Sequence, residues 1–503
     1  MPFRYRVLRF SAADAADPGA LLALVASSHP PKIGTSHRQW QEIIEHLLNA
    51  GAQSLLVQEG VRDPDFLEEH DAFYSKQHRP ISRHCTRVHA FSKPSPAAAP
   101  TADVKEVLAY IDEASATPDS YLGFVTIRPL RHAPVGATIL VDRPDVPTLC
   151  KDAFPVHIAG TTFIVSGTPY LQQDNAVGAC AQASMWMALR TLRRRAGNSA
   201  YSPAELTLSA TRYLTLDRVF PGRRGLTVQQ MLSALKESNH DPLVIPIEQP
   251  ALPELVIAQA QPYIESGLPV VTVLQHPLSG GHAVLAIGLA PNLANKLAPP
   301  SALIIHNDNC GPYRVLPPTV ADESMEYALA QTISLIVPVP EGVFMSAAEA
   351  ERQAIGNLGF WLATFPATPV ADGAALPLVN MNVRTYLCTR HAFRKWATEC
   401  PTLDAGAKDV YRTTEMPKLV WVTEVHDAAT YEPGNPSNQT RLGEVVLDAS
   451  GDSLHGDTLV FLRLTKSMMT APATSEGLLA IEGEGVLALS TSAATRGIAE
   501  PWS

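Results

Sequence analysis

The sequence has few of the features that settle a class quickly. Its 503 residues include only six cysteines, Cys85, Cys150, Cys180, Cys310, Cys388 and Cys400, and no two of them form a CxxC pair. So few, so scattered, exclude a disulfide framework and leave a zinc ribbon or a thioredoxin-like site without support. Charged residues make up 17% of the chain, and the formal net charge is −10. An acidic balance argues against nucleic acid as a partner, because neutralising phosphates needs clustered Lys and Arg. The runs Arg193–Arg195 and Arg223–Arg224 are local and read as helix-end or solvated charge. Long apolar runs are also missing. Leu268–Leu274 falls far short of the roughly 20 residues that span a bilayer, so no transmembrane helix or membrane partner is expected. The first 20 residues carry arginines and then Asp14 and Asp17 without an apolar core, which does not read as a secretory signal. A cytoplasmic protein is the expectation. There is no internal repeat, and Gly280-Gly281 lacks the Lys and Ser/Thr of a phosphate loop. No cofactor is called for.

What is present is enough apolar sequence, 46%, for about three domains. The expected fold class is α+β, with an N-terminal α/β region over 1–160, a central core over 161–340 and a C-terminal α+β or β-rich region over 341–503. In the first region, Ser36-x-x-Gln39 has the form of a capping box. Trp40, Ile43, Ile44, Leu47 and Leu48 follow at helical spacing until Gly51. A strand at Ser54–Val57, a helix between Asp63 and Asp71 and another over Asp103–Ala114 are predicted, with strands at Leu122–Arg128 and Ala137–Val141. Lys93–Thr101 (KPSPAAAPT) holds no regular element.

The central region reads as a short strand at Thr162–Val165, a turn at Gly167–Pro169, and a breaker-free helix from Ala179 to Arg195. Apolar residues all round that helix, Trp186 and Met187 among them, make it central and buried. A helix at Val228–Glu237 precedes short β-rich runs at Leu243–Ile245, Val270–Leu274, His282–Ile287 and Ala302–Ile305, so a helical lobe is followed by a β lobe. Beyond it, helices at Ala347–Leu362 and His391–Thr398 and strands at Leu419–Thr423, Gly443–Leu447 and Thr458–Arg463 are predicted.

Three segments carry chemistry. Cys180 stands where the long helix begins, and the macrodipole and free N–H groups of a helix N-terminus favour a thiolate. A nucleophilic cysteine needs a base held by a third polar group. His282, in Ser279-Gly-Gly-His-Ala-Val, stands at the mouth of a core strand. In His306-Asn-Asp-Asn-Cys-Gly-Pro-Tyr313, Asn307 or Asp308 could orient its ring; Asn307 is preferred, and strand parity does not decide.

The order Cys, His, Asn/Asp, with the cysteine on a helix and the others on strands, resembles the papain-like cysteine peptidase superfamily. The Gly-Gly-His-Ala-Val run and the Asn-Asp segment look closest to the double-glycine leader peptidases that trim bacteriocin precursors. The resemblance covers Gly167 to Pro338, and Tyr121–Pro129 is similar to flanking segments of large bacterial proteins with such a core. It implies a helix lobe and a β lobe, and a cysteine hydrolase, most simply a peptidase, acting on a peptide or isopeptide bond of a protein or peptide substrate. Cys180, His282 and Asn307 or Asp308 would be catalytic. The family's oxyanion glutamine stands six residues before the cysteine; here that position is Asp174, with Gln172, Gln173 and Asn175 beside it. Gln173 is the expected donor, with Asn175 as its substitute. Two other readings keep the same residues: a transglutaminase, deamidase or acyltransferase, or an inactive papain-fold binding module. The flanking regions could recruit a protein partner.

Elsewhere, His78, His84, Cys85 and His89 are close in sequence, but the intervening Arg79, Arg83 and Arg87 would repel a cation, and no metal site is expected. Cys310 reads as structural rather than as a resolving thiol, in a turn at Gly311-Pro312.

Overall fold

A computed structural model describes residues 4–26, 37–78, 80–142, 146, 148–173, 180–212, 226–321, 325–364, 381–401, 403, 405–433, 441–451, 458–464, 467–470 and 479–482. The chain is α+β and divides into two compact units. The first comprises Met1–Ala251, Pro269–Gly288 and Ile304–Pro338, and so takes in residues 1–160 and most of 161–340.

In that unit, five strands form an antiparallel sheet in chain order: Tyr5–Arg9, Ser54–Val61, Cys85–Phe91, Tyr121–Ile127 and Val135–Leu140. The helix Val104–Ser115 buries Val107, Tyr110 and Ile111 against Phe91, Tyr121 and Phe163. Asp103 starts it by accepting from the N–H groups of Lys105 and Glu106. The helix Arg38–Asn49 buries Trp40, Ile43, Ile44 and Leu47, the apolar stripe seen in the sequence; Ser36 lies outside the described residues. Gly167–Pro169 is not a turn. Gly167 ends the hairpin strand Thr161–Gly167, and three residues later Tyr170 pairs with Thr138.

A second sheet has six strands in the order Gly311–Leu316, Ala302–Asn307, Gly280–Ala290, Val270–His276, Thr332–Pro340 and His240–Pro246. Gly311-Pro312 therefore opens a strand instead of making a turn; the turn is 308–310, and proline is tolerated because this strand lies at the sheet edge. The helix Cys180–Arg195 has twelve of its sixteen residues buried, as an all-round apolar pattern demands. Asp65 anchors it by accepting from Trp186 Nε1 at 3.3 Å and Arg190 Nη1 at 3.1 Å. Arg193, at its end, is buried, donating to the carbonyls of Ser199 and Ser238; Arg223 and Arg224 lie outside the described residues.

The second unit comprises Leu252–Leu268, Leu289–Leu303 and Val339–Ser503. Its antiparallel sheet runs in chain order through Met381–Thr389, Leu419–Asp427, Arg441–Asp448, Leu459–Leu464, Ser467–Thr470 and Leu479–Glu482. Helices Arg390–Glu399 and Ala405–Thr413 pack Phe393 and Tyr411 against Tyr386, Val422 and Phe461. Strand register aligns Arg384, Glu424, Glu444 and Arg463 side by side across four strands. Arg441 donates to both glutamates, at 2.6 Å to Glu424 and 2.9 Å to Glu444, and all five side chains are largely or wholly buried. The aligned like charges of Glu424 and Glu444 are thus separated by a guanidinium. Among the described residues, no helix is long and apolar enough to cross a membrane.

Candidate active site

Cys180 is the first residue of its helix, and that end is fastened to the strand Gly280–Ala290 through one residue. Ala283 donates its N–H to Cys180 Sγ at 3.2 Å and accepts from Ser184 Oγ at 3.1 Å through its carbonyl. The sulfur also faces the amides of Ala181 and of Cys180 itself. Burial, reinforced by Asp308, nevertheless pushes the thiol up to about 12, against the opposite pull of these amides. At neutral pH the resting sulfur holds its proton, so nucleophilic work requires a base to remove it.

His282 is the third residue of its strand, 4% exposed, and follows a hairpin whose Gly280 adopts φ +83°. Its Nε2 lies 3.1 Å from Asn307 Oδ1, which also accepts the N–H of Asn309 at 2.9 Å. That amide donor identifies the Asn307 atom as the oxygen, so Nε2 is the protonated nitrogen and the neutral ring keeps a bare Nδ1. The Tyr327 ring covers the imidazole at a centroid distance of 4.8 Å, and its hydroxyl reaches the Gly280 carbonyl at 3.4 Å.

Asn307 ends the strand Ala302–Asn307, and Asp308 begins the turn. The Asp308 carboxylate is fully buried 3.7 Å from His282 Nε2, and neither oxygen has a hydrogen-bond partner on another residue among those described. Burial pushes it up to about 6, with His282 pulling the other way. Asn307 thus supplies the directed hydrogen bond, and Asp308 a nearby buried negative charge.

Gln173 Nε2 donates to Asn309 Oδ1 at 2.8 Å, which brings the expected oxyanion donor to the turn after Asn307; Asn175 lies outside the described residues. Gln172 points elsewhere. Its Oε1 accepts from Val135 N at 2.9 Å and its carbonyl from Arg128 Nη2 at 2.8 Å. A cavity of about 370 Å³ opens beside His282, with Asn309, Cys310, Arg38, Met325 and Tyr327 in its wall. Cys310 and Cys180 are both free thiols.

Sequence reasoning gave Asn309 and Tyr327 no role and read Gln39 only as the glutamine of a capping box; the N-cap is His37, and Gln39 Nε2 instead donates to the carbonyls of Asp308 and Asn309. The nearest signal was the run Asn307-Asp308-Asn309, three turn-forming side chains in a row. The His78–His89 segment forms no metal cluster: among the described residues no three His, Cys, Asp or Glu side chains converge. His89 is instead buried, with Nδ1 2.8 Å from the Tyr121 hydroxyl, and Arg87 pairs with Asp63 at 2.7 Å. The chain matches no protein-family model and no curated protein.

Proposed function

We propose that the chain is a papain-like cysteine hydrolase, most simply a peptidase, with Cys180 as nucleophile and His282 as general base. The observation that carries this reading is the geometry around one strand. Ala283 holds the Cys180 sulfur at 3.2 Å, while the neighbouring His282 gives its Nε2 to Asn307 and keeps Nδ1 for proton transfer. In the first step the thiol proton passes to His282 Nδ1 as sulfur bonds to the carbonyl carbon. The resulting oxyanion takes the Cys180 N–H and the Gln173 amide, which exchanges Asn309 for substrate. His282 then returns the proton to the leaving amine as the C–N bond breaks, leaving a thioester. Water, deprotonated by His282, cleaves the thioester to acid and free thiol. Asn307 orients the ring, and the Asp308 charge stabilises the imidazolium.

The test is alkylation by iodoacetamide with mapping of the adduct. Labelling concentrated at Cys180, and slowed when His282 becomes Ala, supports the assignment. Labelling spread over several cysteines and indifferent to His282 rejects it. One observation favours a non-catalytic binding module instead: burial and Asp308 hold the thiol near 12. Under that reading Cys180 stays unreactive across pH 6–9 in a folded protein. The acyl acceptor is decided by a labelled primary amine, whose incorporation into a peptide substrate marks a transferase and whose exclusion marks hydrolysis.

A further inference from the structure

The turn that carries Asn307 is held from a helix far away in the sequence. Gln39, in the first turn of Arg38–Asn49 and 269 residues from Asp308, donates Nε2 to the Asp308 carbonyl at 3.1 Å and to the Asn309 carbonyl at 2.9 Å. One amide nitrogen with two hydrogens meets two acceptors. The helix also backs directly onto the turn. Gly311 has φ +138°, and a Cβ there would stand 2.8 Å from the Glu42 Cβ, so only glycine fits at this point of approach. Two ion pairs, Glu42–Arg314 at 2.6 Å and Arg38–Glu326 at 2.9 Å, flank the contact. Asn309 relays it. Its carbonyl takes Gln39, its N–H goes to Asn307 Oδ1, and its Oδ1 receives Gln173.

We infer that Gln39 is a positioning residue for the reaction proposed above, on whose reading this inference rests. By fixing the carbonyls of Asp308 and Asn309, it sets the height of Asn307 Oδ1 against His282 Nε2 and the place where Gln173 waits. The helix Arg38–Asn49 is then part of the catalytic scaffold, and the core from Gly167 to Pro338 lacks one of its supports when taken alone.

The experiment compares Gln39→Met, which keeps length and loses both hydrogen bonds, and Gln39→Glu, which sets a carboxylate against two carbonyls, with the full-length parent. The rate of iodoacetamide labelling at Cys180 is followed from pH 5 to 10, beside thermal unfolding. The expected result is labelling slower by about 10-fold to 100-fold, with a displaced pH midpoint, in a protein that still unfolds cooperatively. A lowered unfolding temperature with an unchanged labelling profile would make Gln39 merely structural and overturn the inference. Parent labelling indifferent to His282→Ala would overturn the catalytic reading and the inference with it. Labelling that depends on His282 but in both Gln39 variants equals that of the parent would overturn the inference alone.

Discussion

The N–H of Ala283 lies 3.2 Å from the sulfur of Cys180, so the residue next to the proposed base is bonded to the proposed nucleophile. The strand that carries His282 is thereby fastened to the start of the helix that carries Cys180. Ser184 completes the clasp by donating to the Ala283 carbonyl. Replacing Ser184 with Ala leaves that buried carbonyl short of a donor, and a loss of about 1–2 kcal/mol is expected in urea unfolding. Cys180 labelling should slow as well; an unchanged rate at reduced stability would show that the clasp holds the fold and not the reacting pair.

Asn307 and Asp308 should separate by chemistry. Asn307→Ala removes the acceptor for Nε2–H and frees the ring, and a fall of about 100-fold in His282-dependent labelling is expected. Asn307→Asp keeps an acceptor at the same place and should retain most of the rate. Equal loss in both variants would mean that the amide's second role, or the fold of the turn, dominates.

Asp308 predicts a particular pH dependence of stability. Its folded-state pKa of about 6 is above the ordinary carboxylate value of 3.8, so between those two pH values the folded chain keeps a proton that the unfolded chain releases. The Asp308 contribution to stability therefore falls as pH rises from about 4 to about 6 and stays low above that. Asp308→Asn removes this slope. Its urea midpoint relative to the parent should climb across the same window. A midpoint difference that does not vary with pH would contradict the assignment.

Arg128 and Glu69 form a buried ion pair at 3.1 Å, and Arg128 also donates to the carbonyls of Ala133 and Gln172. Arg128→Met takes the guanidinium from the buried Glu69 carboxylate and removes its hydrogen bonds to both carbonyls, at a cost of about 3–5 kcal/mol. Adding Glu69→Gln should recover part of it. Calorimetry of the single and double variants reads the difference, and equal destabilisation would place the energy in the carbonyl bonds.

Sequence reasoning reached the elements with strong periodicity. The stripe from Trp40 to Leu48 and the all-round apolar run after Cys180 each dictate one way to bury a helix, and both are found. The helix Pro253–Glu265 escaped it because Pro262 interrupts the pattern, yet Pro262 keeps its carbonyl in play by accepting from Ser266. The strand Gly311–Leu316 escaped because Gly-Pro signals a turn, and only the sheet order shows that it is an edge. At the candidate site, Cys180, His282, Asn307 and Asp308 were legible as candidates because chemistry restricts which side chains can form a nucleophile, a base and an orienting group. Gln39 was not. Its role depends on a contact spanning 269 positions, and locally it looks like any polar residue near the start of a helix.

The row Arg384, Glu424, Glu444 and Arg463 has a consequence for how the second unit assembles. If the strand Arg441–Asp448 paired one residue out of step, Glu444 would turn away from Arg463 on one neighbouring strand and Arg441 would lose its place beside Glu424 on the other. A misaligned sheet therefore loses buried ion pairs as well as packing. Glu444→Gln, which spares shape but abolishes one sign, should lower yield and refolding more sharply than a comparable change in the apolar core.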